Sequence, residues 1–182
     1  TIASGSATMA KLDEIGIVAM TNKHVLVWEE YNQGWIPDKC IISNSSGEFI
    51  IDWTQNVSTY QNPYYTGNNV DYGYVRIDNT NQQLTNLVSS PVKLCYNVNI
   101  GDKVVILGYP GVGATESITA TEGIISGFDQ DYYVTSAKIE QGNSGGAAIL
   151  LKDNCYLGIP SAAQVGSIES MGRILKSSFV IQ

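Results

Sequence analysis

Short β-type runs separated by turn residues recur along all 182 residues, and this restricts the fold more than any other feature of the chain. The runs are 15–20, 39–43, 48–53, 72–77, 103–107, 117–125, 132–139, 146–151, 155–159 and 173–176. They are rich in Val, Ile, Thr and Tyr and bounded by Gly, Asn, Asp or Pro, as half-buried strands are. Helical periodicity is scarce. Residues 167–178 read as a short amphipathic helix, weakened by Gly172 at its middle. Short strands with frequent turns predict an all-β barrel or sandwich. The polar stretch from Asp78 to Pro91 reads as a connector between two β halves. The expected division is residues 1–80, a connector at 81–91, and residues 92–182, each half large enough for one small barrel.

Charge narrows the function. Charged residues are only 15% of the chain and the formal net charge is −7, which disfavours a nucleic-acid binder or a protein held to anionic lipid. No apolar run approaches the roughly 20 residues that span a bilayer. The chain begins at Thr1 without a signal-type segment, as expected of a mature form or an excised domain. Three cysteines, Cys40, Cys95 and Cys155, form no CxxC pair and meet a single histidine, so neither a metal site nor a cofactor is expected. The odd count allows at most one internal disulfide, and buried free thiols are the favoured expectation.

Residues 142–146 read Gly-Asn-Ser-Gly-Gly. Glycines around a serine permit a tight turn, and the N–H groups of Gly142 and Ser144 can then point at one oxygen, as an oxyanion hole requires. A Gly-rich turn with an incidental serine is the simpler alternative. The pentapeptide also fits the G-x-S-x-G elbow of α/β hydrolases, but those enzymes place the histidine after the serine. Here the only histidine is His24, 120 positions before Ser144. An apolar strand rather than a helix follows the serine. The order that remains is histidine, acid, serine, as in chymotrypsin.

His24 follows the apolar run 15–20. A histidine is the side chain best suited to act as a base near neutral pH, with an unperturbed pKa of about 6.5. Many acids lie between His24 and Ser144; Asp71 stands out because it precedes the alternating strand 72–77. An acid at the mouth of a buried strand can orient an imidazole and stabilise its charged form. A turn aspartate after Asn68-Asn69 is the plain alternative.

Together these segments resemble the trypsin-like serine proteases, and most of all the bacterial HtrA/Deg branch. Thr21-Asn-Lys-His24-Val25 resembles T-N-x-H-V, Asp71-Tyr-Gly-Tyr-Val-Arg-Ile77 resembles D-x-A-x-L-x-I, and Gly142-Asn-Ser144-Gly-Gly146 is identical to G-N-S-G-G. Gly101 to Pro110 resembles G-D-x-V-x-x-I-G-x-P, Thr121 to Ser126 resembles T-x-G-I-V-S, and Tyr156 to Pro160 resembles V-x-G-I-N. Ser4-Gly5-Ser6-Ala7 resembles the G-S-G strand before the histidine. The match runs from about Ser4 to Leu175.

The resemblance implies two six-stranded antiparallel β-barrels, the first carrying His24 and Asp71 and the second Ser144. It implies a serine endopeptidase acting through an acyl-enzyme, with His24, Asp71 and Ser144 catalytic and Gly142, Asn143 and Ser144 forming the oxyanion loop. An extended polypeptide is the expected substrate and a monomer is compatible with this. The substrate-binding residues would be Lys138, Ile139, Ser161, Ala162 and Ala163. Ile139, Ala162 and Ala163 favour a small or medium apolar side chain before the scissile bond. Lys138 would attract an acidic one if it pointed inward, but extension into solvent is the favoured placement. The chain departs from the family in places. Asn143 replaces the aspartate of digestive relatives, Thr1-Ile2-Ala3-Ser4 is not their processed start, Lys138 and Glu140 are unusual for the HtrA branch, and no PDZ domain fits in 182 residues. A catalytically silent peptide-binding module and a protease acting in cis on its own precursor are the alternatives. Low charge with many Tyr and Asn resembles a secreted bacterial protein, so an extracytoplasmic location is expected.

Overall fold

The structure is a computed structural model that describes residues 4–12, 15–30, 33–35, 38–44, 47–52, 64–65, 70–77, 88, 91–110, 117–165 and 170–180, with backbone alone at 28–30, 33–35, 64–65, 162–165 and 170. It divides into two compact units, one of Met9–Pro91 and one of Thr1–Thr8 with Val92–Gln182.

The second unit is built on a closed antiparallel barrel. Its strands are β9 (Lys103–Gly108), β10 (Thr119–Asp129), β11 (Tyr132–Thr135), β12 (Ala147–Leu150), β13 (Cys155–Val165) and β14 (Ser170–Lys176), numbered after eight strands in the first unit. They pair in the order β10-β11-β14-β13-β12-β9, and β9 returns to β10. Closure removes the unpaired edges that an open sheet of these strands would expose. Alternation supplies the core: in β9 Val104 and Ile106 turn inward while Lys103 faces solvent. Ile125, Ala148, Leu150, Leu157 and Ile174 complete that cluster, each at most 1% exposed. Full burial of each such Leu or Ile contributes on the order of 1.5–3 kcal/mol.

The first unit holds β1 (Thr8–Leu12), β2 (Gly16–Thr21), a single helical turn α1 (Lys23–Leu26), β3 (Trp28–Glu30), β4 (Gln33–Trp35), β5 (Lys39–Asn44), β6 (Gly47–Asp52), β7 (Tyr64–Tyr65) and β8 (Gly73–Arg76). β1, β2, β8 and β7 form one sheet in that order, and β3–β4 and β5–β6 are hairpins. Val18, Met20 and Val75 are buried on β2 and β8. The expected pair of closed barrels is therefore met in part: among the described residues only the second unit shows a closed barrel.

All ten runs read as strands contain strands. The helical reading of residues 167–178 is corrected: Ser170–Lys176 is β14, followed by a 3-10 turn at Ser177–Phe179. Seven pairings to β13, from Gly158↔Lys176 to Val165↔Ser170, decide the matter against a weak local pattern. The expectation of free thiols is corrected as well. Cys95 and Cys155 form a disulfide, leaving Cys40 free, its thiol pKa raised by burial. The cysteines meet because residues 93–95 run beside the start of β13: Tyr156 N–H donates to Lys93 O (2.7 Å) and Cys95 N–H to Tyr156 O (3.1 Å). Of the expected connector at 81–91, only Val88 and Pro91 lie inside the described residues. No helix among the described residues is long and apolar enough to cross a membrane.

Candidate active site

His24 and Asp71 are brought together by strand pairing in the first unit. β2 and β8 are in register from Val18↔Arg76 to Thr21↔Gly73, so the chain leaving β2 passes the chain entering β8. α1 follows at once, burying Leu26 and leaving His24 exposed. Asp71 Oδ2 lies 2.8 Å from His24 Nδ1, and Asp71 Oδ1 accepts the His24 backbone N–H at 3.1 Å. A single carboxylate thus holds both the ring and the main chain of the histidine. An ionised carboxylate only accepts hydrogen bonds, so the proton sits on Nδ1 and the Nε2 lone pair is left available as a base. Asp71 is itself tied down: the fully buried Asn22 donates from its side-chain amide to the Asp71 carbonyl at 2.9 Å.

Nothing in the sequence alone marks Asn22 for this role. Its position just before α1 signals a helix N-cap, yet its side chain makes no cap hydrogen bond and turns to Asp71 instead.

Ser144 stands on a tight loop in the second unit, between Gly142 (φ +100°) and Gly145 (φ +88°). The left-handed region at Gly142 suits a residue without Cβ. The loop is laced to its surroundings. Asn143 N–H donates to Glu140 O (3.0 Å), Gly145 N–H to Pro160 O (3.1 Å) and Gly146 N–H to Asn143 O (2.9 Å). The Ser144 hydroxyl donates to the carbonyl of Ser161 on β13, at 3.1 Å. Among the described residues the N–H groups of Gly142 and Ser144 donate to no protein acceptor, whereas that of Asn143 is committed to Glu140. Asn143 is 1% exposed, and its Oδ1 has no partner among the described residues.

The residues expected to bind substrate belong to the same unit. Lys138 is exposed, and its carbonyl accepts the Thr121 hydroxyl at 2.6 Å. Ile139 packs against the barrel core and lies over Gly172, where an added Cβ would stand 2.6 Å from its Cδ1. Ser161 is 5% exposed. Ala162 and Ala163 pair through their backbone with Arg173 and Gly172 of β14, and their side chains lie outside the described residues. The structure so assembles two groups, His24 with Asp71 in one unit and Gly142–Ser144 with Ser161 in the other.

The sequence matches the family described as the trypsin-like peptidase domain over residues 5–159. No curated protein matches it. Among solved structures it is similar to the serine endoprotease from Yersinia pestis, at 25% identity and a TM-score of 0.65, covering 97% of this chain and 54% of that one. It is similar also to the HtrA-type protease AlgW with decapeptide, at 26% identity and a TM-score of 0.65, covering 96% of this chain and 48% of that one. The chain spans about half the length of these two proteins. With the family match covering most of its length, the chain belongs to the trypsin-like peptidase domain family.

Proposed function

We propose that the protein hydrolyses peptide bonds through an acyl-enzyme, with His24, Asp71 and Ser144 acting as one triad. The observation that carries this reading is the grip of one Asp71 carboxylate on both His24 Nδ1 and the His24 N–H, at 2.8 and 3.1 Å. In this reading Ser144 Oγ leaves the Ser161 carbonyl and passes its proton to His24 Nε2 as it attacks the scissile carbonyl. The unengaged N–H groups of Gly142 and Ser144 receive the oxyanion; Asn143 belongs to the loop but offers no free backbone donor. The imidazolium, stabilised by Asp71, returns the proton to the leaving amine. Water, deprotonated by the same nitrogen, then releases the acid product and restores Ser144.

The substrate in this reading is an extended polypeptide aligned along residues 161–163 of β13, as an added strand. Ile139 over Gly172 favours a small or medium apolar side chain before the cleaved bond, and the exposed Lys138 stays in solvent. In this reading a first barrel at 1–80 and a second at 92–182 are joined at 81–91, with Thr1–Thr8 grouped in the second unit, and the location is extracytoplasmic. Ser144→Ala tests the reading. The wild type is expected to cleave unfolded casein, and the variant to lose at least about 10⁴-fold in rate with its fold intact. Equal cleavage by both would remove Ser144 from the mechanism.

A further inference from the structure

Ser6 makes three hydrogen bonds around the Ser144 loop, within the same compact unit. It is 3% exposed. Its hydroxyl donates to the Gly142 carbonyl at 2.6 Å and accepts the N–H of Tyr109, just beyond β9, at 2.8 Å. Its backbone N–H donates to the Ser144 carbonyl, also at 2.8 Å. A hydroxyl can give and take a hydrogen bond at once, which no apolar residue of this size can do. The main chain is thus pinned on both sides of Asn143 by one residue.

The pinning matters because of what it holds. Gly142 has φ +100° and no side chain, so nothing in the residue itself fixes the planes of its two peptides. The neighbouring contacts leave little slack. A Cβ on Gly108, the last residue of β9, would stand 2.7 Å from Asn143 Oδ1 and 3.0 Å from Ser6 Oγ. The Ser6 hydroxyl therefore couples the end of β9 to the glycine that carries one of the two unengaged N–H groups.

We propose that the Ser6 hydroxyl is a positioning group for the oxyanion loop: by bridging Tyr109 N–H and Gly142 O it fixes the Gly142–Asn143 peptide, and through the Gly142 Cα it restricts the preceding peptide, whose N–H receives the negative charge. This rests on the protease reading above and adds a residue to it. Alanine at this position keeps the backbone bond to Ser144 but removes both hydroxyl bonds. Donors that act on the oxyanion are felt in the transition state and not in ground-state binding. The loss therefore falls on kcat. Removing a direct donor costs about 10²–10³-fold. Loosening one through its support is expected to cost about 10–100-fold, with KM within about twofold of the wild type.

The test uses a fluorogenic peptide built on the main casein cleavage site and the aldehyde of the same peptide, whose hemiacetal with Ser144 presents an oxyanion. Wild type, Ser6→Ala, Ser6→Cys and Ser6→Thr are compared for kcat, KM, aldehyde affinity and Tm. Ser6→Ala should lose aldehyde affinity by the same factor as kcat. Ser6→Thr, which keeps a hydroxyl, should recover most of both, and the weak S–H donor of Ser6→Cys should fall between. Wild-type kcat and aldehyde affinity in Ser6→Ala would overturn the proposal and leave the protease reading standing. So would a raised KM alone, or a loss of kcat without loss of aldehyde affinity. If Ser6→Ala does not fold, Ser6→Cys decides by the same two numbers. A wild type that cleaves neither casein nor peptide defeats the protease reading, and this proposal with it.

Discussion

The carboxylate of Asp71 does two jobs for His24, and each has a different replacement cost. Asp71→Asn keeps an oxygen for the His24 N–H but offers an amide to Nδ1, either donating where the ring must donate or turning its oxygen and losing the other bond. The expected result is a fall in kcat on the order of 10³–10⁴-fold with Tm little changed, measured on the casein-derived peptide. If Asp71→Asn retains wild-type kcat and Asp78→Asn does not, the acid is Asp78, which lies outside the described residues. At this scale chemistry made the residue types legible. A lone histidine, an acid before a strand and a serine between glycines are marked by what they can do. Ser6 and Asn22 are not marked in that way. Their side chains bond main-chain carbonyls 136 and 49 positions away, and nothing local in the sequence announces a hydrogen bond of that kind.

Strands were legible for a related reason: alternation is written locally. β9 reads Lys-Val-Val-Ile-Leu-Gly, and its burial follows that period, with Val104, Ile106 and Gly108 inward. The four-residue α1 is too short to show any period, and the two-residue β7 is no longer than a chance pair of tyrosines. Pairing order was out of reach because β12 pairs with β9 and β11 with β14, strands far apart in the chain, and no local window contains those contacts. One element-scale consequence concerns the turn from the Ser144 loop into β12. A Cβ on Gly146 would be driven into the Leu107 carbonyl of β9 and toward the Asn143 carbonyl, both main chain and unable to step aside. Gly146→Ala should lower stability by about 1–3 kcal/mol and remove most activity, read by urea denaturation and peptide turnover. A fully active variant with unchanged Tm would show that β9 and the loop are less closely packed.

The constraints on the whole molecule lie in its crosslinks and charge. The Cys95–Cys155 disulfide closes a loop across 60 positions. Replacing both cysteines with serine should cost about 2–4 kcal/mol, measured by denaturant melts, whereas Cys40→Ser should not approach that loss. The pairing was not readable beforehand, because three cysteines allow three choices of partner and only the fold selects one. Asp102 contributes a pH-dependent part. Its carboxyl is held below the usual range, first by the hydrogen bond from Lys152 and then by the Asn99 N–H. A depressed folded pKa gives stability that is present above the unfolded value of about 3.9 and lost as pH falls through the lower folded value. Asp102→Asn should therefore lower Tm at neutral pH, with the difference fading in acid; a difference independent of pH would assign it to packing. Ser144 stands at the centre of the proposed chemistry as an activated nucleophile. Its most direct test is labelling of the wild type and Ser144→Ala by a fluorophosphonate probe, read by intact mass and peptide mapping. One adduct is expected, on Ser144, in the wild type alone. A folded wild type that takes no label, or a Ser144→Ala variant labelled equally, would contradict it.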